Sequence, residues 1–80
     1  MSKKEKLLQL IKKNPVNIRY DSIRKLLLNH GFTETVPRGG SSHYTYHKSQ
    51  YRITIPKDNP VNKIYIKQVI SIIEQLEDEE

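Results

Sequence analysis

Histidine is the residue type in this sequence best suited to proton transfer near neutral pH, because its imidazole can accept or donate a proton there. His43 closes the segment 39–43, which contains two glycines and two serines, and His47 follows four residues later. Glycines allow backbone amides to approach an anion closely, and successive amides in a turn can bind one. These residue types could perform acid–base chemistry beside an anion, although a lone histidine on a strand is more often an ordinary surface residue.

Three helices are predicted from the spacing of apolar residues and from residues typical of helix ends. The first covers 1–14, with the pattern of a capping box beginning at Ser2 and an Asn-Pro pair at its end. The second begins at residue 21 or 22 and ends before Gly31, a residue type common just after a helix. The third covers about 65–76, where apolar residues recur along one helical face.

Between the second and third helices the hydrophobic pattern changes to the alternation typical of strands. Strands are predicted over 32–36, 42–47 and 51–55, with turns at 37–40 and 48–50. Short turns between consecutive strands favour an antiparallel arrangement. The predicted fold is therefore α+β, in the order α-α-β-β-β-α, with a three-stranded antiparallel sheet and the helices on one of its faces.

Alternation also predicts which side chains share a face of the sheet. The face under the helices should carry the apolar set: Tyr44, Tyr46, Tyr51, Ile53 and Ile55. The opposite face should carry the polar set: His43, Thr45, His47, Arg52 and Thr54. Arg38 and Lys48 are expected at the edges of that polar face, where they and Arg52 could stabilise negative charge. A register error of one residue would reverse every assignment.

Composition narrows the class of protein. The 80 residues favour one small domain, and the absence of cysteine excludes disulfides and thiolate zinc sites. Residues 1–73 contain all fourteen Lys and Arg against four acids, a net charge of +10, which suits a phosphate backbone but also an ordinary solubilising surface. No stretch approaches the ~20 apolar residues of a membrane helix, and the start does not have the pattern of a signal peptide, so a cytoplasmic location is expected.

The ordered set of motifs over 26–73 resembles the HicA family. Its matching elements are Gly31-Phe32 after the second helix, Gly40-Ser41-Ser42-His43 at the second strand, Tyr46 three residues later, and Thr54-Ile55-Pro56 at the end of the third strand. The first helix with Asn14-Pro15 is similar to a longer branch of that family.

The resemblance implies a single domain over 1–80 with a core like that of double-stranded-RNA-binding domains at 21–76 and an additional helix at 1–14. It also implies an endoribonuclease that cleaves messenger RNA, the toxin of a type II toxin–antitoxin system, with His43 as the catalytic residue. The expected partner is a HicB-like antitoxin that covers His43. No metal or other cofactor is expected.

Histidine suits that reaction, because RNA can be cleaved when its own 2′-hydroxyl attacks the neighbouring phosphate and a protein group transfers the protons. The residues predicted to bind RNA are these: Arg38, Gly40, Ser41, Lys48 and Arg52. His47, a lysine or water could supply the second acid or base. This chain departs from the family at one point: many relatives carry a second histidine followed by proline where it has Lys48 and Ser49, and its nearby histidine is His47.

Other functions remain open at this point. A module of the same fold could bind RNA without cleaving it, and a degenerate toxin could serve only to bind an antitoxin. A serine–histidine hydrolase is disfavoured because Ser42 should face away from His43, and Ser41 has no acid nearby in the sequence that could orient the imidazole. The tyrosines could stack on bases, but packing in the core is the simpler interpretation.

Overall fold

The computed structural model describes residues 3–37, 39 and 42–79 of the chain. Six elements follow one another: α1 (Lys3–Lys13), α2 (Tyr20–Asn29), β1 (Thr33–Thr35), β2 (His43–Lys48), β3 (Tyr51–Pro56) and α3 (Lys63–Glu79). The strands form one antiparallel sheet in the order β1-β2-β3. The predicted α+β class and the order of the elements are confirmed.

The register of the sheet decides which side chains are buried. Tyr46 lies opposite Ile53, and Tyr44 lies opposite Ile55. Tyr46, Ile53 and Ile55 are buried, while Tyr44 is half-buried against the same core. The core lies between this face of the sheet and the helices, so both predicted faces are confirmed.

Each helix contributes an apolar stripe to that core. The buried apolar residues are Leu8 and Ile11 of α1; Tyr20, Ile23, Leu26 and Leu27 of α2; and Ile66, Val69, Ile73 and Leu76 of α3, together with Phe32 and Val61 from the connections. α1 is therefore an integral part of the core. An exposed ion pair joins it to α3, with Lys12 Nζ 3.1 Å from Glu74 Oε2.

Two helices begin earlier than predicted, and capping explains both differences. α3 begins at Lys63 because Asn62 Oδ1 accepts a hydrogen bond from the backbone N–H of Ile64 at 3.0 Å, as a side-chain cap does. α2 begins at Tyr20, whose N–H donates to Asn59 Oδ1 at 2.8 Å from a distant loop. The predicted capping box of α1 begins at Ser2, which lies outside the described residues.

Of the helices in the described part of the chain, none combines the length and apolar character needed to cross a bilayer.

Candidate functional site

The sheet surface opposite the helices, called here the open face, carries the alternating polar side chains predicted for β2 and β3. It is formed by Thr33, Thr35, His43, Thr45, His47, Arg52 and Thr54, all exposed except the half-buried Thr45. The open face thus presents histidine, arginine and hydroxyl groups to solvent from three hydrogen-bonded strands. The backbone of this surface is held in place by the hydrogen bonds of the sheet.

The pairing of strands arranges these side chains in rows across the sheet. Thr33, His47 and Arg52 form one row, since His47 lies opposite both of the others. The next row contains Thr45 and Thr54, whose hydroxyl oxygens are 3.0 Å apart and hydrogen-bonded. Side chains directly opposite one another on antiparallel strands have Cβ atoms ~5 Å apart, so each row can contact a single small group of a ligand.

His43 begins β2 and lies opposite Pro56 at the end of β3. The same end of the sheet is closed by a hydrogen bond from the backbone N–H of Lys57 to the carbonyl of Ser42, at 2.7 Å. The exposed imidazole of His43 is therefore attached to backbone that the sheet holds in place. His47 is four residues further along the same strand, which corresponds to about 13 Å.

The other end of the open face contains a shallow groove at the β2–β3 turn. Its lining residues are Thr35, Thr45, His47, Ser49, Gln50, Tyr51 and Arg52. Two basic side chains and several hydroxyl groups thus surround one depression, a composition that suits an anion with several oxygen atoms. Two other grooves lie along the helices, one between Lys12 and α3 and one on the outer side of α1.

Three of the residues predicted to contact RNA, Arg38, Gly40 and Ser41, lie outside the described residues. Gly39 between them has a φ of 79°, in the left-handed region that glycine adopts without strain. Arg52 lies on the open face as predicted.

The expected position of Lys48 at the edge of the open face was wrong. Lys48 is two residues after Tyr46 on β2, so its side chain lies on the same, helical side of the sheet. There its Nζ donates a hydrogen bond to the carbonyl oxygen of His30 at 2.8 Å. That carbonyl is at the end of α2, where a cation interacts favourably with the helix dipole. Gly31, with a φ of 88°, allows this approach, since an added Cβ would lie 3.0 Å from Nζ. Lys48 thus caps α2.

The helical side of the sheet contains a partly buried polar chain, named here the tyrosine chain, that no pattern in the sequence predicted. Tyr46 donates its hydroxyl hydrogen to Glu34 Oε2 at 2.6 Å. The hydroxyl of Tyr20 is hydrogen-bonded to that of Tyr46, and Arg24 Nε lies 2.7 Å from the same Glu34 oxygen. Because the hydroxyl hydrogen of Tyr46 is used by Glu34, Tyr20 must be the donor to Tyr46. The chain thus has one direction, from Tyr20 to the carboxylate.

Burial and charge shift the titration of this chain. The hydrogen bond from the Arg24 guanidinium holds the pKa of the Glu34 carboxyl below its ordinary value, and the Tyr46 hydroxyl adds to that effect. Burial raises the pKa of Tyr46 far above its ordinary value, and the adjacent Glu34 carboxylate raises it further. Burial likewise raises the pKa of Tyr20. Glu34 is therefore ionised, and both tyrosines are protonated, at neutral pH.

His30 and Tyr44 also lie on the helical side. His30 is buried at the end of α2, with Nδ1 4.0 Å from Glu77 Oε1. The ring of Tyr44 packs edge-on against that of Tyr20 and lies under Lys57 Nζ, 5.6 Å from its centroid. These contacts assign Tyr44 to packing, as predicted.

Within the described residues, no group of three or more His, Asp or Glu side chains is placed so as to hold a metal ion. Comparison of the chain with known protein families, with curated proteins and with solved structures found no match.

Proposed function

We propose that this protein is a HicA-type endoribonuclease, the toxin of a type II toxin–antitoxin system, which cleaves messenger RNA with His43 as a general acid or base. The observation that supports it best is the position of His43, exposed at the end of a central strand on a polar, basic sheet face. The resemblance of the surrounding motifs to the HicA family agrees with this position.

In the proposed reaction one phosphorus–oxygen bond forms, another breaks and two protons are transferred. The 2′-oxygen of a ribose attacks the adjacent phosphorus while the bond from phosphorus to the 5′-oxygen breaks, leaving a 2′,3′-cyclic phosphate and a 5′-hydroxyl. One proton leaves the 2′-hydroxyl and another is delivered to the 5′-oxygen. His43 performs one of these transfers, since an imidazole can do either near neutral pH. Water or another group of the site performs the second.

Charge supports a polyanionic substrate. The net charge of +10 over residues 1–73 attracts RNA from a distance, and Arg52 places a permanent cation on the open face itself. Single-stranded RNA can lie across a flat sheet face, whereas base edges inside a duplex are less accessible. We therefore propose single-stranded messenger RNA as the substrate and the cytoplasm as the place of action.

The test is cleavage of a purified RNA in EDTA by the wild-type protein, by His43→Ala and by Lys25→Ala. Lys25 is exposed on α2, so its variant controls for contaminating nucleases through an identical purification. We expect Lys25→Ala to cleave like wild type and His43→Ala to cleave ~10²–10⁴-fold more slowly. Equal cleavage by all three proteins would refute the role of His43.

The same experiment separates two other functions that the open face supports. A non-catalytic RNA-binding module would bind the RNA in EDTA, with a salt-dependent affinity, and leave it intact. A degenerate toxin that serves only to bind an antitoxin would show no RNA affinity even at low salt.

The proposed partner is a HicB-like antitoxin that covers His43. A flat and basic open face can be blocked by an acidic surface lying across it, and complementary charge would make association fast and sensitive to salt. Hydrogen exchange with and without the antitoxin should show protection within residues 42–54. Protection confined to the helices would contradict direct coverage of the site.

A further inference from the structure

The row of Thr33, His47 and Arg52 lies further along the sheet than His43, and strand side chains that stand perpendicular to the sheet keep that separation. His43 and His47 project from the same face of β2 but from positions about 13 Å apart along it. An acid and a base that serve one phosphate must both lie within hydrogen-bond distance of its oxygens or of a bridging water. The geometry thus argues that His47 meets a different part of the RNA.

The surroundings of that row favour an anion. His47 and Arg52 are directly opposite each other, so an imidazole and a guanidinium stand side by side on the open face. The ion pairs within the described residues use Lys12, Arg24 and His30, so no carboxylate of the described residues neutralises Arg52. Glu34, on the adjacent strand, faces the helices and is bonded to Arg24 and Tyr46.

The groove beside this row has the right chemistry for a phosphodiester. Arg52 offers a planar set of N–H donors, and the imidazole of His47 and neighbouring hydroxyls, among them Thr45 and Ser49, offer further donors to phosphate oxygens.

From these observations we propose that His47 and Arg52 form a second phosphate-binding subsite, which holds the RNA at a phosphate away from the bond being cleaved. A stacked strand has one phosphate per about 3.4 Å and an extended one spaces them about twice as far, so a 13 Å separation corresponds to about two to four nucleotides. His47 is then a positioning residue and takes no part in proton transfer. This inference rests on the proposed function, since the position of the subsite is counted from the bond at His43.

The experiment uses a single-stranded RNA with one cleavage site mapped by the wild-type protein. A 2′-deoxy substitution at the nucleotide whose 2′-hydroxyl would attack prevents cleavage, so that affinity can be measured on the wild type. In a set of such RNAs each phosphate in turn is replaced by a neutral methylphosphonate. Their affinities are measured for wild type, Arg52→Ala, His47→Ala and Arg19→Ala. Arg19 is an exposed arginine that precedes α2, and its variant is the control for loss of one positive charge.

We expect Arg52→Ala to bind the RNA without methylphosphonates about tenfold more weakly than wild type does, and His47→Ala to bind it several-fold more weakly. The reason is that each variant loses hydrogen bonds to a charged phosphate. A methylphosphonate two to four nucleotides from the scissile bond should weaken binding to wild type by a similar factor and remove the difference between wild type and Arg52→Ala. Arg19→Ala should still respond to that methylphosphonate as wild type does. With the cleavable RNA, His47→Ala should raise KM while kcat at saturating RNA falls by less than about twofold.

Three results would overturn the subsite. One is a difference in RNA affinity between Arg52→Ala and wild type that persists whichever phosphate is replaced by a methylphosphonate. Another is a difference removed only at the scissile phosphate or its immediate neighbours. The third is a large fall in kcat for His47→Ala at saturating RNA, which would make His47 a proton-transfer group. Failure of the proposed function would look different, because wild-type protein would then leave the unmodified RNA intact.

Discussion

The two faces of β2 differ in how they treat polar side chains: one exposes them to solvent and the other packs them against the helices. His43, Thr45 and His47 lie on the open face, while Tyr46 and Lys48 point toward the helices, where each hydrogen-bonds to a group from another element. A buried polar group costs free energy unless it is hydrogen-bonded, so those on the helical side are committed to the fold. An exposed polar group can be hydrogen-bonded by water instead. The open face is therefore available for function, whereas the tyrosine chain serves stability.

The largest expected effect tests whether the open face can be altered without harm to the fold. We expect His43→Ala to reduce RNA cleavage by ~10²–10⁴-fold while changing the free energy of unfolding by no more than ~0.5 kcal/mol, because the side chain is exposed. Cleavage assays and urea unfolding on the same preparations measure both. If His43→Ala lost cleavage because the protein unfolded, the open face could not be altered independently of the fold.

Tyr46→Phe tests the opposite face. The change removes the acceptor for Tyr20, which is buried, and the donor to Glu34, which is partly buried, so the protein should lose ~1–3 kcal/mol of stability. Cleavage by the folded fraction should persist, since Tyr46 faces away from His43. Urea unfolding with parallel RNA cleavage measures the two effects. Unchanged stability would show that the tyrosine chain contributes little to the fold.

The ionisation of Glu34 predicts how stability depends on pH. Its folded pKa is lowered, chiefly by Arg24, so its contribution is fully present above the ordinary carboxyl pKa and is lost as pH falls through the lowered one. Glu34→Gln should therefore be less stable than wild type at pH 7, by about 1 kcal/mol or less, and the gap should narrow in acid below about pH 4. Unfolding curves at several pH values measure the gap. A gap that widens toward acid would contradict the assignment.

The smallest effect is expected from removing one hydroxyl on the open face. Thr54→Val deletes a partner in the exposed Thr45–Thr54 hydrogen bond, and water can replace it. The free energy of unfolding should change by no more than ~0.5 kcal/mol. Thr54→Val and Tyr46→Phe each remove one hydroxyl, so their ratio in urea unfolding gives the contrast between the faces directly. Equal destabilisation by the two variants would remove that contrast.

Much of the fold follows from local patterns. Alternation of apolar residues over 51–55 predicted which side of β3 is buried, and the spacing of Ile66, Val69 and Ile73 predicted the buried stripe of α3. Lys48 shows the limit of this reasoning. Its charge suggested a place on the polar face, but its parity with Tyr46 decided its side, and the carbonyl of His30 at the end of α2 provided a partner there.

The sequence by itself determined the α+β class, the order of the elements and the faces of the alternating residues of β2 and β3. These follow from periodicities of two and 3.6 residues, which can be read within a short stretch of sequence. Only the tertiary structure decided the partners across long separations. Asn59 caps α2 from a loop 39 residues away, and Glu34 meets both Arg24 and Tyr46. The tertiary structure also placed Arg52 opposite His47. Such pairs depend on register and on how helices pack against the sheet, and no local pattern of residues encodes them.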